Sequence, residues 1–99
     1  MSNKHPAVGQ YCVIRTINAG VHYGTVEHVD NTGGITLSAS RRLWSWSGAF
    51  SLSEVSQIGI KSGKVACEVP LHYILGVIEL LPCSAAARAI LEKQPAAKT

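Results

Sequence analysis

Between Ser40 and Gly48 the chain carries Arg41, Arg42, Trp44 and Trp46, so two guanidinium groups and both indoles of the protein fall within nine residues. Guanidinium groups pair with phosphate or carboxylate and stack on flat rings, and indole offers a large apolar face. In an extended strand alternate side chains share a face. That puts Arg42, Trp44 and Trp46 on one side and Arg41, Leu43 and Ser45 on the other. An Arg-Trp-Trp face could stack a nucleobase or another ring, with arginine supplying the anion contact. The same residues could equally fill a core or an oligomer interface, where aromatics also concentrate.

A second candidate is the run Arg15-Thr16-Ile17-Asn18-Ala19-Gly20-Val21-His22-Tyr23-Gly24. It reads as a hairpin whose turn exposes backbone N–H groups that could hold an anion. Arg15 stands in an otherwise apolar strand and needs a partner, for which Glu27, Glu68 and Glu79 are candidates. Arg15, His22, Arg41, Arg42, Trp44 and Trp46 are therefore the candidate ligand-binding residues.

Other chemistries find no support. The histidines are His5, His22, His28 and His72. His22 and His28 lie about 20 Å apart along a strand, too far to share one metal ion. No H-x-x-x-H, CxxC or carboxylate cluster accompanies them, so no metal site is expected. There is no G-x-S-x-G and no cysteine in a catalytic context. No P-loop or dinucleotide-binding glycine pattern occurs. The reading is a protein that is not an enzyme, with no catalytic residues and no cofactor.

These residues must be positioned by a mostly β framework. Gln10–Ile17 and Val21–Val29 read as two strands of a hairpin, rich in β-branched and aromatic residues. Asp30-Asn31-Thr32-Gly33-Gly34 is a turn. Ile35–Ser38 is a short third strand, and Arg41–Trp46 a fourth after a bend at Ala39-Ser40. Ser51-Leu52-Ser53-Glu54 fits a capping box opening a short helix that Gly59 and Gly63 end. Lys64–Val69 alternates as a strand that Pro70 interrupts, and Val77–Leu81 reads as a buried strand. Ser84 caps a last helix over Ala85–Lys93. The expected class is α+β: an antiparallel meander of about five to six strands with one short helix and a C-terminal helix. Residues 1–8 are expected to form a flexible arm, 9–93 a single domain and 94–99 a flexible tail.

Composition narrows the partners. Of 99 residues, 46% are hydrophobic and only 15% charged, against about 25% in an average soluble domain. So few charges leave apolar and Ser/Thr-rich surface, which points to a homo-oligomer. The net charge of +3 includes Lys4, Lys93 and Lys98 near the ends, so the body offers no dense basic patch and nucleic acid is a poor partner. No apolar run reaches the length of a membrane span. The N-terminus carries no secretory signal, and Cys12, Cys67 and Cys83 are read as reduced thiols of a cytoplasmic protein.

Three stretches are similar to a family of small uncharacterised proteins of tailed phages and prophages. They are Ile14-Arg15-Thr16 through Ala19-Gly20-Val21-His22 to Gly24; Leu37-Ser38 through Arg41-Arg42-Leu43-Trp44-Ser45-Trp46-Ser47-Gly48-Ala49 to Val55; and Ile78-Glu79-Leu80-Leu81-Pro82-Cys83-Ser84. The family pattern has an aromatic residue where this chain has Ile17. The resemblance implies an accessory protein of the infected host cell, small, non-enzymatic and oligomeric. One class of such proteins sequesters nucleotide signals of bacterial immunity. A small nucleotide-like ligand is thus one expected partner. A virion or host protein is a second reading, and single-stranded nucleic acid a third.

Overall fold

The computed structural model of the protein describes residues 5–97. It is an α+β fold with a six-stranded antiparallel sheet and two helices. The strands are β1 (Tyr11–Thr16), β2 (Val21–Val29), β3 (Ile35–Ser47), β4 (Ser62–Val65), β5 (Val69–Ile74) and β6 (Val77–Pro82). The helices are α1 (Leu52–Ile58) and α2 (Ala85–Glu92). The pairing order is β4-β3-β2-β1-β6, with β5 added to the first half of β3.

Tyr11, Cys12, Val13 and Ile14 are all buried, because β1 is covered on both faces. Tyr11 and Val13 join Tyr23, Leu43, Val55, Ile60, Val65 and Leu91 under the helices. Cys12 and Ile14 join Val26, Ile35, Leu37 and Ile74 on the opposite face. Val77 and Leu80 of β6 pack against this second cluster with Ile74 of β5, although β5 and β6 lie at opposite ends of the pairing order. The sheet therefore curls round the second cluster, which is its inner face.

Ile35–Ser38 and Arg41–Trp46 are one long strand rather than two. The bend expected at Ala39-Ser40 is a β-bulge: Tyr23 pairs with Arg41 and Thr25 with Ser38, so β3 holds one residue more than β2 there. Ala39 takes φ 51° to make it. Gly24 faces the bulge, where a Cβ would lie 2.8 Å from the Ser38 carbonyl oxygen, so only glycine fits. The extra residue reverses the alternation of β3. Ile35 and Leu37 point to the inner face before it. Ser40 and Arg42 do so after it, while Arg41 and Leu43 turn to the helix side.

Pro70 lies inside β5 rather than breaking a strand, as an edge position permits. β6 is half exposed where a buried strand was expected, because only β1 flanks it. Ser51 caps α1 by accepting from the Glu54 N–H at 3.3 Å. The Glu54 carboxylate reaches back to the Phe50 N–H, one residue earlier than the capping-box reading expects. Ser84 caps α2 by accepting from the Ala87 N–H at 3.0 Å, and its hydroxyl donates to the Gln57 carbonyl at 2.7 Å, tying the helices together.

The arm expected over 1–8 and the tail over 94–99 extend into 1–4 and 98–99, outside the described residues. Their described parts are docked. Ala7 is buried in the inner cluster, and the Gly9 N–H donates to the Val26 carbonyl at 2.7 Å. The Ala97 N–H donates to the Val65 carbonyl at 2.8 Å, and Ala96 bridges to Val65. Arg41, only 6% exposed, donates through Nε to the Ala66 carbonyl at 2.9 Å and through Nη1 to the Gln94 carbonyl.

Two adjacent arginines therefore have different energetic weights. Arg41→Leu orphans two carbonyls and should lower unfolding stability by about 3–6 kcal/mol, since each bond to a charged group contributes about 1.5–3 kcal/mol. Arg42→Ala removes a ring contact only and should cost less than about 1 kcal/mol. Urea denaturation midpoints of the two variants check this, and equal losses would contradict it.

Candidate functional site

The inner face is apolar at one end and polar at the other. Beyond Leu37 and Ile74 it presents His22 from β2, Ser40 and Arg42 from β3, and His72 from β5. With Ala19 and Cys67 these residues line a cleft of about 260 Å³. A second hollow of about 180 Å³, between the β2–β3 turn and β6, is lined mainly by apolar groups such as Val29, Ile35, Val77 and Leu80. It has little to offer chemically.

His22 pairs with Ile14 on one side and Arg42 on the other and is 4% exposed. Its Nε2 lies 2.7 Å from the Ala19 carbonyl oxygen. A carbonyl only accepts, so Nε2 carries the hydrogen. Burial, above all, holds the imidazole below its ordinary pKa, and His72 and Arg42 push the same way; the bond to Ala19 opposes them. The ring is neutral at pH 7. Its Nδ1 is therefore a bare lone pair, buried and without a hydrogen-bond partner among the described residues. The His72 ring lies edge-on to it at 5.0 Å between centroids. His72 is held by Ser40, with Nδ1 3.0 Å from the serine Oγ.

The Arg42 guanidinium carbon sits 3.7 Å from the centroid of the Trp44 ring. It also lies close to Gly20, where a Cβ would come 2.9 Å from Nη2. Gly20 also takes φ 84°, which glycine tolerates without strain. The turn holding it is stapled by Thr16, whose Oγ1 donates to the Gly20 carbonyl and accepts from the Ala19 N–H, both at 2.8 Å. Trp44 is 61% exposed. Among the described residues the Arg42 side chain makes no hydrogen bond and no ion pair; the single ion pair there is Arg88–Glu92 on α2.

Of the six residues singled out in the sequence, the structure brings His22, Arg42 and Trp44 together. Arg41 is committed to backbone carbonyls on the helix side. Arg15 also lies off the inner face, two residues on from Val13. It is exposed and stands opposite Glu79 in register without an ion pair, so water replaces the partner expected for it. Trp46 corrects the expected Arg42-Trp44-Trp46 face. Leu43 pairs with Val65 and Ser45 with Lys64, a second bulge that turns Trp46 back to the helix-side core, where Nε1 donates to the Ala49 carbonyl at 3.1 Å. Ser40, Cys67 and His72 were missed. β5 and the connection before it reach the site through pairings 29 to 39 residues apart, and the one local cue was a histidine inside the apolar run Val69–Ile74.

The cysteines divide in two. Burial pushes the Cys12 thiol up to about 11 and the Cys83 thiol up to about 12, which keeps both protonated. Cys67 is exposed at the cleft. Among the described residues no group of three His, Cys, Asp or Glu side chains could hold a metal ion, and no helix is long and apolar enough to cross a membrane.

A family model matches residues 9–91, nearly the whole folded body. The chain belongs to the family described as a domain of unknown function, DUF6948. The DUF6948 match spans every strand and the cleft with it, and leaves outside it Ala7 and the docked residues Ala96 and Ala97. A comparison with curated proteins found no match.

His22 sets a pH dependence. Its folded pKa lies below the unfolded value of about 6.5. Above that value the ring is neutral in both states and the stability is complete. As pH falls from about 6.5 through the folded pKa, the unfolded chain takes up the proton first and stability is lost. His22→Gln keeps a donor for Ala19 and does not titrate. Between pH 7 and pH 5 the wild-type Tm should fall more than that of the variant; parallel curves would show that His22 is not buried in the neutral form.

Proposed function

We propose that the protein is a non-enzymatic binding protein whose cleft holds a small, anionic, nucleotide-like molecule. The observation that carries this reading is the Arg42 guanidinium, held over the exposed Trp44 ring, close to Gly20 and free of any acidic partner among the described residues. An arginine already aligned on a ring loses little freedom when it binds an anion, and its edge donors match phosphate. The outer face of Trp44 is open to a second ring. Among the described residues no carboxylate lines the cleft to repel an anion.

The cleft volume falls below the roughly 300–1,000 Å³ of pockets that enclose a whole drug-sized ligand. It suits one ring or one sugar, with the remainder lying over Trp44. Ser40 is 1% exposed and bonded to His72, which fits a positioning role better than a nucleophilic one. The resemblance to tailed-phage proteins supports a setting in the cytoplasm of an infected host, where holding a nucleotide signal out of solution would be the useful act. A single-strand nucleic-acid groove would call for a row of stacking rings, and Trp46 is turned away from Trp44.

Binding of 5′-AMP, followed by fluorescence and calorimetry, tests the reading. Arg42→Ala and Trp44→Ala should each weaken it at least tenfold, about 1.4 kcal/mol, with Tm changed by only a few degrees. Retained affinity in both variants would sink the proposed site.

A separate observation supports self-association. Leu71 and Tyr73 alternate along β5 and Leu75 follows its end; all three are exposed, Tyr73 by 71% and Leu75 by 75%. No charged residue lies between Glu68 and Glu79, so two copies can meet here without like-charge repulsion. We propose a homodimer through this face. Sedimentation should show a dimer for the wild type and a monomer for the double variant Tyr73→Lys, Leu75→Lys; a wild-type monomer at ~100 μM would overturn it, since association weaker than that falls in the range of incidental contacts.

A further inference from the structure

The hydrogen-bond polarity of the cleft restricts what can fill it. The Ala19 carbonyl fixes the His22 hydrogen on Nε2. Nδ1 then has only a lone pair to offer, and on a residue that lines the cleft it is buried and unpartnered among the described residues. A buried acceptor without a donor keeps the cost of its lost hydration uncompensated. Natural structures rarely leave such a group empty-handed, so an unfilled one at the wall of a cleft marks a place where a bound group completes the bonding. Two groups that could otherwise act on it are already committed. His72 is edge-on and held by Ser40. Arg42 lies directly opposite in the strand register, yet its guanidinium sits over the Trp44 ring and close to Gly20.

Arg42 also decides against a cation. A metal ion on Nδ1 would share the cleft with a fixed positive charge, and no third ligand completes a site among the described residues. The combination left is a donor for His22 beside an acceptor for Arg42.

We infer that the molecule bound here donates a hydrogen bond to His22 Nδ1 while its anionic group faces Arg42, so that it carries an N–H or O–H close to a phosphate-like charge, as a nucleotide or sugar phosphate does and sulfate does not. The inference rests on the proposed binding role and adds to it the chemistry of the ligand. It makes His22 a selector between anions rather than a source of affinity for anions in general.

The test uses the whole protein labelled with ¹⁵N-histidine at neutral pH, with Trp44 fluorescence recorded in parallel. The probes are 5′-AMP, ribose 5-phosphate, sulfate and zinc ion. The free protein should show His22 as the Nε2–H form with a bare Nδ1. AMP should quench Trp44 and move the Nδ1 resonance in the direction of an accepted hydrogen bond. A matching shift with ribose 5-phosphate assigns the donor to the sugar, and a shift with AMP alone assigns it to the base; either supports the inference. Sulfate should leave Nδ1 unmoved. His22→Gln should weaken AMP about tenfold while the weak response to sulfate stays. A hydrogen on Nδ1 in the free protein, an equal shift with sulfate, or tight binding of zinc at Nδ1 would each overturn the inference. Quenching by AMP with Nδ1 unmoved would overturn it and leave the Arg42–Trp44 binding role standing. No response of Trp44 to AMP or ribose 5-phosphate would overturn both.

Discussion

One extra residue in β3 decides what each later side chain of that strand does. The bulge at Ala39 requires a left-handed backbone at a residue other than glycine, a cost of about 1–2 kcal/mol. It also requires a glycine opposite, at Gly24. In return a single strand serves two cores. Ile35 and Leu37 close the inner cluster, and Leu43 closes the cluster under the helices. Without the bulge Ser40 and Arg42 would face the helices, and Arg41 would fall into the cleft with no carbonyls to receive it. The second bulge, before Ser45, acts again on the same strand: it separates Trp44 from Trp46 and leaves one indole for the surface and one for the core.

Charge is handled sparingly on both sides of the sheet. Arg41 is surrounded by backbone oxygens rather than a carboxylate. Carbonyl dipoles satisfy its N–H groups and leave its charge un-neutralised, and that charge slightly opposes the rise that burial imposes on the hydroxyls of Tyr11 and Tyr23. Tyr23 in turn donates its hydroxyl hydrogen to the Leu91 carbonyl at 2.8 Å, so a strand residue and a backbone group of α2 meet inside the same core. Arg42 keeps its charge available at the surface, where a ring holds its geometry without cancelling it. The two residues are neighbours in the chain, and the pleat alone assigns them opposite duties.

Local patterns in the sequence were enough for the elements whose signals are short-range. The Asn18-Ala19-Gly20 turn, the Ser51 and Ser84 caps, the paired strands β1 and β2 and the α+β class all follow from residues within a few positions of each other. The site was legible in part. Alternation correctly grouped Arg42 with Trp44, because no bulge lies between them. It failed at Trp46 because a bulge does, and bulges have no dependable signature in a single sequence. Arg15 looked as though it required an ion pair, which assumed burial; its strand is buried only as far as Ile14 and Thr16 allow, and the arginine reaches water. His72, Ser40 and Cys67 joined the site through the pairing of β5 with β3, and the sequence offers no local cue to a pairing partner so distant.

The two carbonyls that receive Arg41 lie 25 and 53 residues further along the chain. At synthesis rates of about 5–20 residues per second, roughly 3–10 s separate the emergence of the arginine from that of its second acceptor. Through that interval the β2–β3 hairpin can already exist, yet drying Tyr23 and Leu43 would strand a bare guanidinium. The arginine that secures the finished fold can thus be fully satisfied only once the C-terminal residues have been made.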